Sequence, residues 1–396
     1  MFIEIDNIQI ESLKNSKVIL FGAGSYGEHA LEEFTKRKIK VIAFCDNNYS
    51  LQGTELQGYP VISPDDLYRY PDAAIIITST FYEEIKKQLD SMGLYKVYRL
   101  RLGVLHKKIL KSDFHNNFLN REESNEFIYQ GLVSPTPFFV GRLGSVELEC
   151  IVHYLYFLNR NKRKDVIKDY PDNVRNMMYI NAGFFPPTND NLDKFSKLYL
   201  REMHEMDLIW TMWLSQYEDI LYKNFYSNKT IAEYEETYLP YDISVPWTDA
   251  LEGKRVLVIH PFEESIKENY KIKDKIFKRK LLPDFELKTL KTVQSIAGEP
   301  VLYADWFEAI EEMKRKILKI DFDVALIGAG AYGLPLAAFI KQMGRKAIHI
   351  GGALQLYFGI KGKAWNNLGI YNDNWTSPKE SERPMRYKQV ENGRYW

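Results

Sequence analysis

One hexapeptide, Gly-Ala-Gly-x-Tyr-Gly, occurs twice in this chain, and each time it follows a short apolar run. The first copy is Lys17-Val-Ile-Leu-Phe-Gly-Ala-Gly-Ser-Tyr-Gly27; the second is Asp323-Val-Ala-Leu-Ile-Gly-Ala-Gly-Ala-Tyr-Gly333. A buried strand, a glycine turn and an amphipathic stretch closed by a second apolar run make a βαβ unit, so each copy predicts its own parallel α/β sheet. Glycines at such a turn let the backbone bend sharply and come close to a ligand, and the helix start offers unpaired N–H groups to an anion. In the first copy the second strand ends on Asp46, where an acid can bind a ribose hydroxyl; in the second it closes on Gly351-Gly352. Gly22, Gly24, Gly27 and Asp46, and separately Gly328, Gly330 and Gly333, are therefore candidate cofactor-binding residues. Tight turns and a strand-ending acid are the structural alternative.

The chain has 396 residues, which suits two or three domains. Lys plus Arg and Asp plus Glu both total 53, and a net charge of zero gives no reason to expect nucleic acid. Two cysteines, Cys45 and Cys150, make neither a disulfide framework nor a metal knuckle. The acidic start at 1–6 and the lack of an apolar run of ~18 residues argue against a signal peptide and a membrane span, so the expected location is cytoplasmic, including the inner face of the membrane.

In order along the chain, strands are expected at 18–21, 41–45, 74–78 and 96–100, with helices at 27–37 and 83–92. Together they form a small doubly wound, Rossmann-like domain over 1–110. This segment resembles the small nucleotide- or nucleotide-sugar-binding Rossmann domains attached to bacterial polysaccharide-biosynthesis enzymes, through Gly22 to Gly27, Phe44-Cys-Asp-Asn-Asn48 and Gly58-Tyr-Pro-Val-Ile62. Residues 111–134 read as a charged linker. A larger domain follows over 135–396, with helical insertions and a C-terminal strap rich in aromatic residues.

Within it, Phe138-Phe-Val-Gly-Arg-Leu-Gly-Ser-Val-Glu147 predicts a strand running through Arg142 into a helix near Ser145. A cation and a carboxylate at a helix start suit a diphosphate, a metal or a hydroxyl awaiting deprotonation; a buried Arg–Glu pair is the structural alternative. A strand at 256–259 places His260, Glu263 and Ser265 at its C-terminal end, where His260 could contact phosphate and Glu263 could act as a base. The run 267–280 reads as a solvated basic helix face, 282–287 as a strand and 306–320 as an amphipathic helix. Asn181, Gly183 and Phe184 could shape an acceptor pocket or only a turn and core. Gln355, Lys361 and Lys363 are candidate phosphate contacts, and His204 has no partner at metal-ligand spacing.

Arg142-Leu-Gly-Ser-Val-Glu147 is similar to the Arg-Phe-Gly-Asp-Gly-Glu signature of GT-D fold glycosyltransferases, and 344–352 resembles a late strand of that family. The resemblance implies a GT-D-like α/β domain, a nucleotide-sugar donor, a glycan or lipid-linked glycan acceptor, and hexosyl transfer in bacterial surface polysaccharide or glycan assembly. Glu147 matches the family Glu and would carry a divalent manganese or magnesium ion, whereas Ser145 stands where the family has Asp, which leaves metal dependence open. With the residues at the end of 256–259 added, the expected catalytic set is Arg142, Glu147, His260 and Glu263; the Gly328–Gly333 turn and Arg142 would bind the nucleotide sugar, and His260 and Lys361 would offset charge on the leaving diphosphate. A nucleotide-sugar-binding regulatory or scaffolding protein and an NAD-linked sugar-modifying enzyme are the alternative readings. Homo-oligomerisation is left open.

Overall fold

A computed structural model describes residues 3–5, 13–79, 82–94, 96–100, 117–160, 169–212, 218, 221, 225–226 and 228–396. By internal contacts the chain divides into two units, Met1–His115 with Trp213–Ile220, and Asn116–Met212 with Leu221–Trp396.

The first unit is a seven-stranded sheet in the order β1-β7-β6-β2-β3-β5-β4. Its strands are β1 Ile3–Ile5, β2 Lys17–Phe21, β3 Lys40–Cys45, β4 Glu55–Leu56, β5 Tyr59–Ile62, β6 Ala74–Ile77 and β7 Val97–Leu100. All pairings are parallel except β4 with β5. The central strands read as unbroken apolar runs because both faces are covered: Val18 and Leu20 join one core, Ile19 and Phe21 the other. Helices Ser25–Lys36 and Tyr82–Ser91 follow β2 and β6. Chain order reverses between β2 and β6, which puts the switch point at Gly22.

The second unit is an eight-stranded, wholly parallel sheet in the order β13-β12-β14-β15-β9-β10-β11-β8. The strands are β8 Phe118–Leu119, β9 Phe138–Arg142, β10 Leu208–Thr211, β11 Thr230–Glu233, β12 Arg255–Ile259, β13 Glu286–Leu290, β14 Val324–Ile327 and β15 Lys346–His349. Both glycine-turn repeats therefore sit in parallel α/β sheets, the expected fold class. One face of this sheet holds a continuous core that includes Val140, Trp210, Trp247, Val258, Leu326, Ile348 and Tyr357. Rings of Phe184, Phe195, Trp306 and Tyr332 pack together elsewhere in the unit, with Tyr332 stacked on Trp306 at 5.0 Å. A bidentate Arg255–Asp323 contact ties the start of β12 to that of β14 and holds the Asp323 carboxyl down at about 2.

Three expectations are corrected. Residues 111–116 lie outside the described residues, but 117–134 is no linker: β8 pairs with β11, and helix Arg121–Val133, started by an Asn120/Glu123 capping box, buries Ile128 and Leu132. The charges of that run, Arg121, Glu122, Glu123 and Glu126, lie in its first two turns. The basic run 267–280 is not one helix face; helix Glu263–Tyr270 stops early, a 3-10 turn follows at Lys273–Lys275, and Ile276 and Phe277 are buried. The strand expected at 282–287 begins instead at Glu286, beyond Pro283, which has no N–H for a ladder.

The strap beyond residue 360 is built of short 3-10 turns held by its rings. Trp375 is buried and donates from Nε1 to Ile276 O at 3.0 Å. Glu382, 1% exposed, accepts from Glu264 N at 2.7 Å and from Ser265 N and Oγ, so a strap carboxylate sits on the start of helix Glu263–Tyr270.

Candidate functional site

Strand β9 ends on Arg142, and helix Ser145–Arg160 starts three residues later with Ser145 exposed. Glu147, in the helix's first turn, is 8% exposed, and its carboxylate folds back over Gly144. A Cβ on Gly144 would lie 1.9 Å from Glu147 Oε2, so only glycine admits this conformation. Burial raises the Glu147 pKa, against the lowering pull of its own backbone N–H and of Arg142, and Glu391 pushes it further up. Arg142 stands over the Tyr234 ring at 5.1 Å and points Nη1 at Met212 Sδ; its Nε is buried without a partner.

Strand β15 lies next to β9 and ends on His349. After β15 the chain turns to the face where Leu354, Leu356 and Tyr357 join the main core; after β9 it enters helix Ser145–Arg160, outside that core and against helix Asn189–Met203. Neighbouring strands whose connections diverge leave a crevice at their C-terminal ends. Gly351 sits there with φ 78°, and a Cβ on it would lie 2.7 Å from Arg142 Nε. His349 is 4% exposed, and its Nδ1 is buried without a partner. Two unpaired nitrogens, from Arg142 and His349, thus belong to adjacent strand ends.

The second glycine turn is not a bare cradle. A Cβ on Gly328 would meet His260 Cδ2 at 2.6 Å, and one on Gly333 would meet His349 Nε2 at 2.3 Å. These glycines make room for two imidazoles; of the three, only Gly330 is exposed, with φ 51°. Burial pushes both histidines down to about 3, with Arg142 adding to the effect at His349. His260 Nδ1 accepts from Phe262 N at 3.0 Å, which leaves the proton on Nε2. His260 therefore has a neutral N–H, and not a cation, to offer a phosphate.

Glu263 is tied to Lys267 at 2.7 Å and to Thr289 Oγ1 at 2.6 Å. Burial works to raise its pKa, but these bonds outweigh it and the net shift is downward; a carboxylate so engaged is no free base. Ser265 is bound to Glu382. Gln355 is buried and donates to Lys361 O at 2.9 Å and Tyr395 O at 3.1 Å, shaping the loop rather than facing phosphate. Lys361 is half-buried on that loop, and Lys363 is exposed. Phe184 is core, in contact with Phe195 and Trp306, while Gly183 (φ 70°) closes on Ser295 and Asn181 ends helix Asp172–Ile180. His204 is exposed beside Tyr226. Nothing in the sequence marked His349, Tyr234 or Glu391 for a site, and Tyr395 counted only among the aromatic residues of the strap; the glycine pair after His349 was the available signal.

In the first unit the turn glycines divide their work differently. Gly22 (φ 121°) packs on Thr78, and a Cβ on Gly27 would lie 2.0 Å from Gly22 O, but Gly24 has open space and starts helix Ser25–Lys36 without a side-chain cap. Asp46 accepts from Ala23 N at 2.7 Å and Asn48 N at 2.8 Å, so its carboxylate braces the turn.

Among the described residues no group of three His, Cys, Asp or Glu side chains is placed to hold a metal ion. At Glu147 the carboxylate is already met by a backbone N–H and by the Arg142 charge, and Glu391 is the second carboxylate near enough to act on it. Two carboxylates and a guanidinium, with no third ligand beside them among the described residues, do not by themselves make a manganese or magnesium site. No described helix is long and apolar enough to cross a membrane.

Residues 14–98 match a family described as C2185-like, N-terminal. That match concerns the first unit alone. No curated protein matches the chain. A solved structure, the selenomethionine-substituted domain of unknown function 1792 (DUF1792), is 15% identical to it; the alignment covers 72% of this chain and 92% of that one, with a TM-score of 0.36. A likeness of that size carries no functional argument.

Proposed function

We propose that the second unit is a nucleotide-sugar-dependent glycosyltransferase of the hexosyl-transferring kind, acting in surface polysaccharide or glycan assembly on a glycan or lipid-linked glycan acceptor. The observation that supports it is the pair of buried, unpartnered nitrogens, Arg142 Nε and His349 Nδ1, at the crevice between β9 and β15. Arg142 Nε always carries a proton, and a buried donor without an acceptor costs about 1–3 kcal/mol, which an anionic ligand would recover. A nucleotide sugar suits the position: its diphosphate would meet Arg142, and Tyr234 beneath the guanidinium would hold that cation in place. As the bond from the sugar to the diphosphate breaks, negative charge grows on the leaving oxygen, and Arg142 offsets it. Glu147, with its raised pKa, is suited to take the proton of the acceptor hydroxyl as the new glycosidic bond forms.

For the first unit we propose binding without chemistry. Gly24 leaves its turn open to the backbone of a nucleotide, while no acid–base pair stands beside it among the described residues.

The test is release of nucleoside diphosphate from a panel of nucleotide sugars, with and without acceptor. Wild type should turn over at least one donor; Arg142→Ala should lower kcat/KM about a hundredfold or more, the loss expected when a charge-stabilising donor is removed. Equal turnover by wild type and Arg142→Ala would contradict the assignment.

A further inference from the structure

Residues 390–396 reach the same crevice by an unusual backbone. Glu391, Asn392 and Gly393 are all left-handed, with φ of 46°, 57° and 74°. Non-glycine residues there cost on the order of 1–3 kcal/mol each and persist only where their surroundings fix them. The fixing contacts are on either side. Val390 is buried; Ala364 N donates to Arg394 O at 2.9 Å and Gln355 Nε2 to Tyr395 O. The Tyr395 ring lies on Gly352, where a Cβ would sit 2.4 Å from Cε1, and Trp396 packs with Phe262 and Tyr387.

This strained turn delivers two charges. Glu391 is close enough to Glu147 to raise its pKa, and it pairs with Arg394 at 3.1 Å. Arg394 lies within electrostatic reach of Tyr234 and Tyr395, and Arg142 acts on Tyr395 as well. Two guanidinium groups therefore share the neighbourhood of Tyr234 and Tyr395. Arg394 is the more exposed of the two, with half its side chain in the open and its charge held by a carboxylate on its own turn. A diphosphate brings more negative charge than Arg142 alone can meet, and the guanidinium fork matches phosphate oxygens in pairs.

We propose that Arg394 is the second diphosphate-binding cation of this site, and that Glu391 holds it in place until the diphosphate of the donor takes the carboxylate's position. The inference rests on the donor site proposed above. Glu391 is then a stand-in anion, and the left-handed turn is what keeps the pair at the crevice.

The experiment is calorimetric titration of the full chain with inorganic pyrophosphate and with uridine diphosphate, on wild type, Arg142→Ala, Arg394→Ala, Arg394→Lys and Glu391→Gln. Arg394→Ala should weaken pyrophosphate about tenfold or more, the scale of a lost charge-assisted bond, and Arg394→Lys should recover part of it. Glu391→Gln should tighten binding several-fold, because the competing anion is gone; a purely structural Glu391–Arg394 pair would not do this. If Arg394→Ala fails to fold, Arg394→Lys and Glu391→Gln carry the test. Weakening by Arg142→Ala alone, with Glu391→Gln unchanged or weaker, overturns the role of Arg394 and leaves the donor site standing. If wild type binds neither probe, or Arg142→Ala binds as well as wild type, the donor site falls and this inference with it.

Discussion

His260 and His349 are buried as neutral imidazoles, and that state has a consequence in solution. Their pKa values fall from the ordinary 6.5 to about 3 on folding. A depressed folded value means the stability each contributes is fully present above about pH 6.5 and is lost as pH falls towards 3, where the unfolded chain takes up the proton first. The loss is of the order of a few kcal/mol per group. His260→Gln and His349→Gln should each flatten the fall in Tm between pH 6.5 and 4 relative to wild type, measured by calorimetry. Parallel curves for wild type and variants would show that neither imidazole is held neutral. Arg142 and Glu147 were visible in the sequence because a strand end and a helix start stand only a few residues apart. His349 was not, since its partner Gly333 starts a helix and its neighbour Arg142 ends another strand, and an apolar run ending in His reads first as core.

The two glycine turns share a hexapeptide and differ in what fills them. In the first, Gly24 faces open space; in the second, the space beside Gly328 and Gly333 is taken by imidazoles. Gly24→Ala should change stability by less than about 0.5 kcal/mol, whereas Gly333→Ala, with its methyl 2.3 Å from His349 Nε2, should cost about 1–3 kcal/mol in urea unfolding. Equal costs would mean that the turns are packed alike. Strand and helix existence was legible in both repeats because period and glycine punctuation agree. The roles of their glycines were not, because the imidazoles that enter the second turn arrive through tertiary structure. Helix Arg121–Val133 was mistaken for a connector for a related reason: its charges cluster at the start, while Ile128 and Leu132 do the packing.

At the scale of the whole molecule, each of the two sheets offers a crevice, one at Gly22, where strand order reverses, and one between β9 and β15, where the connections diverge. The strap adds a third contribution that no periodicity foretold: Glu382 caps helix Glu263–Tyr270, and 390–396 brings Glu391 and Arg394 to the second crevice. The account places donor binding in the second unit. The direct test is a thermal-shift screen of the full chain against nucleotide sugars, with wild type, Arg142→Ala and Asp46→Ala in parallel, since a ligand that binds only the folded state raises Tm with its affinity. The account predicts a nucleotide sugar that raises Tm in wild type and Asp46→Ala and loses that effect in Arg142→Ala. A shift kept in Arg142→Ala and lost in Asp46→Ala would put the nucleotide-sugar site in the first unit and contradict it.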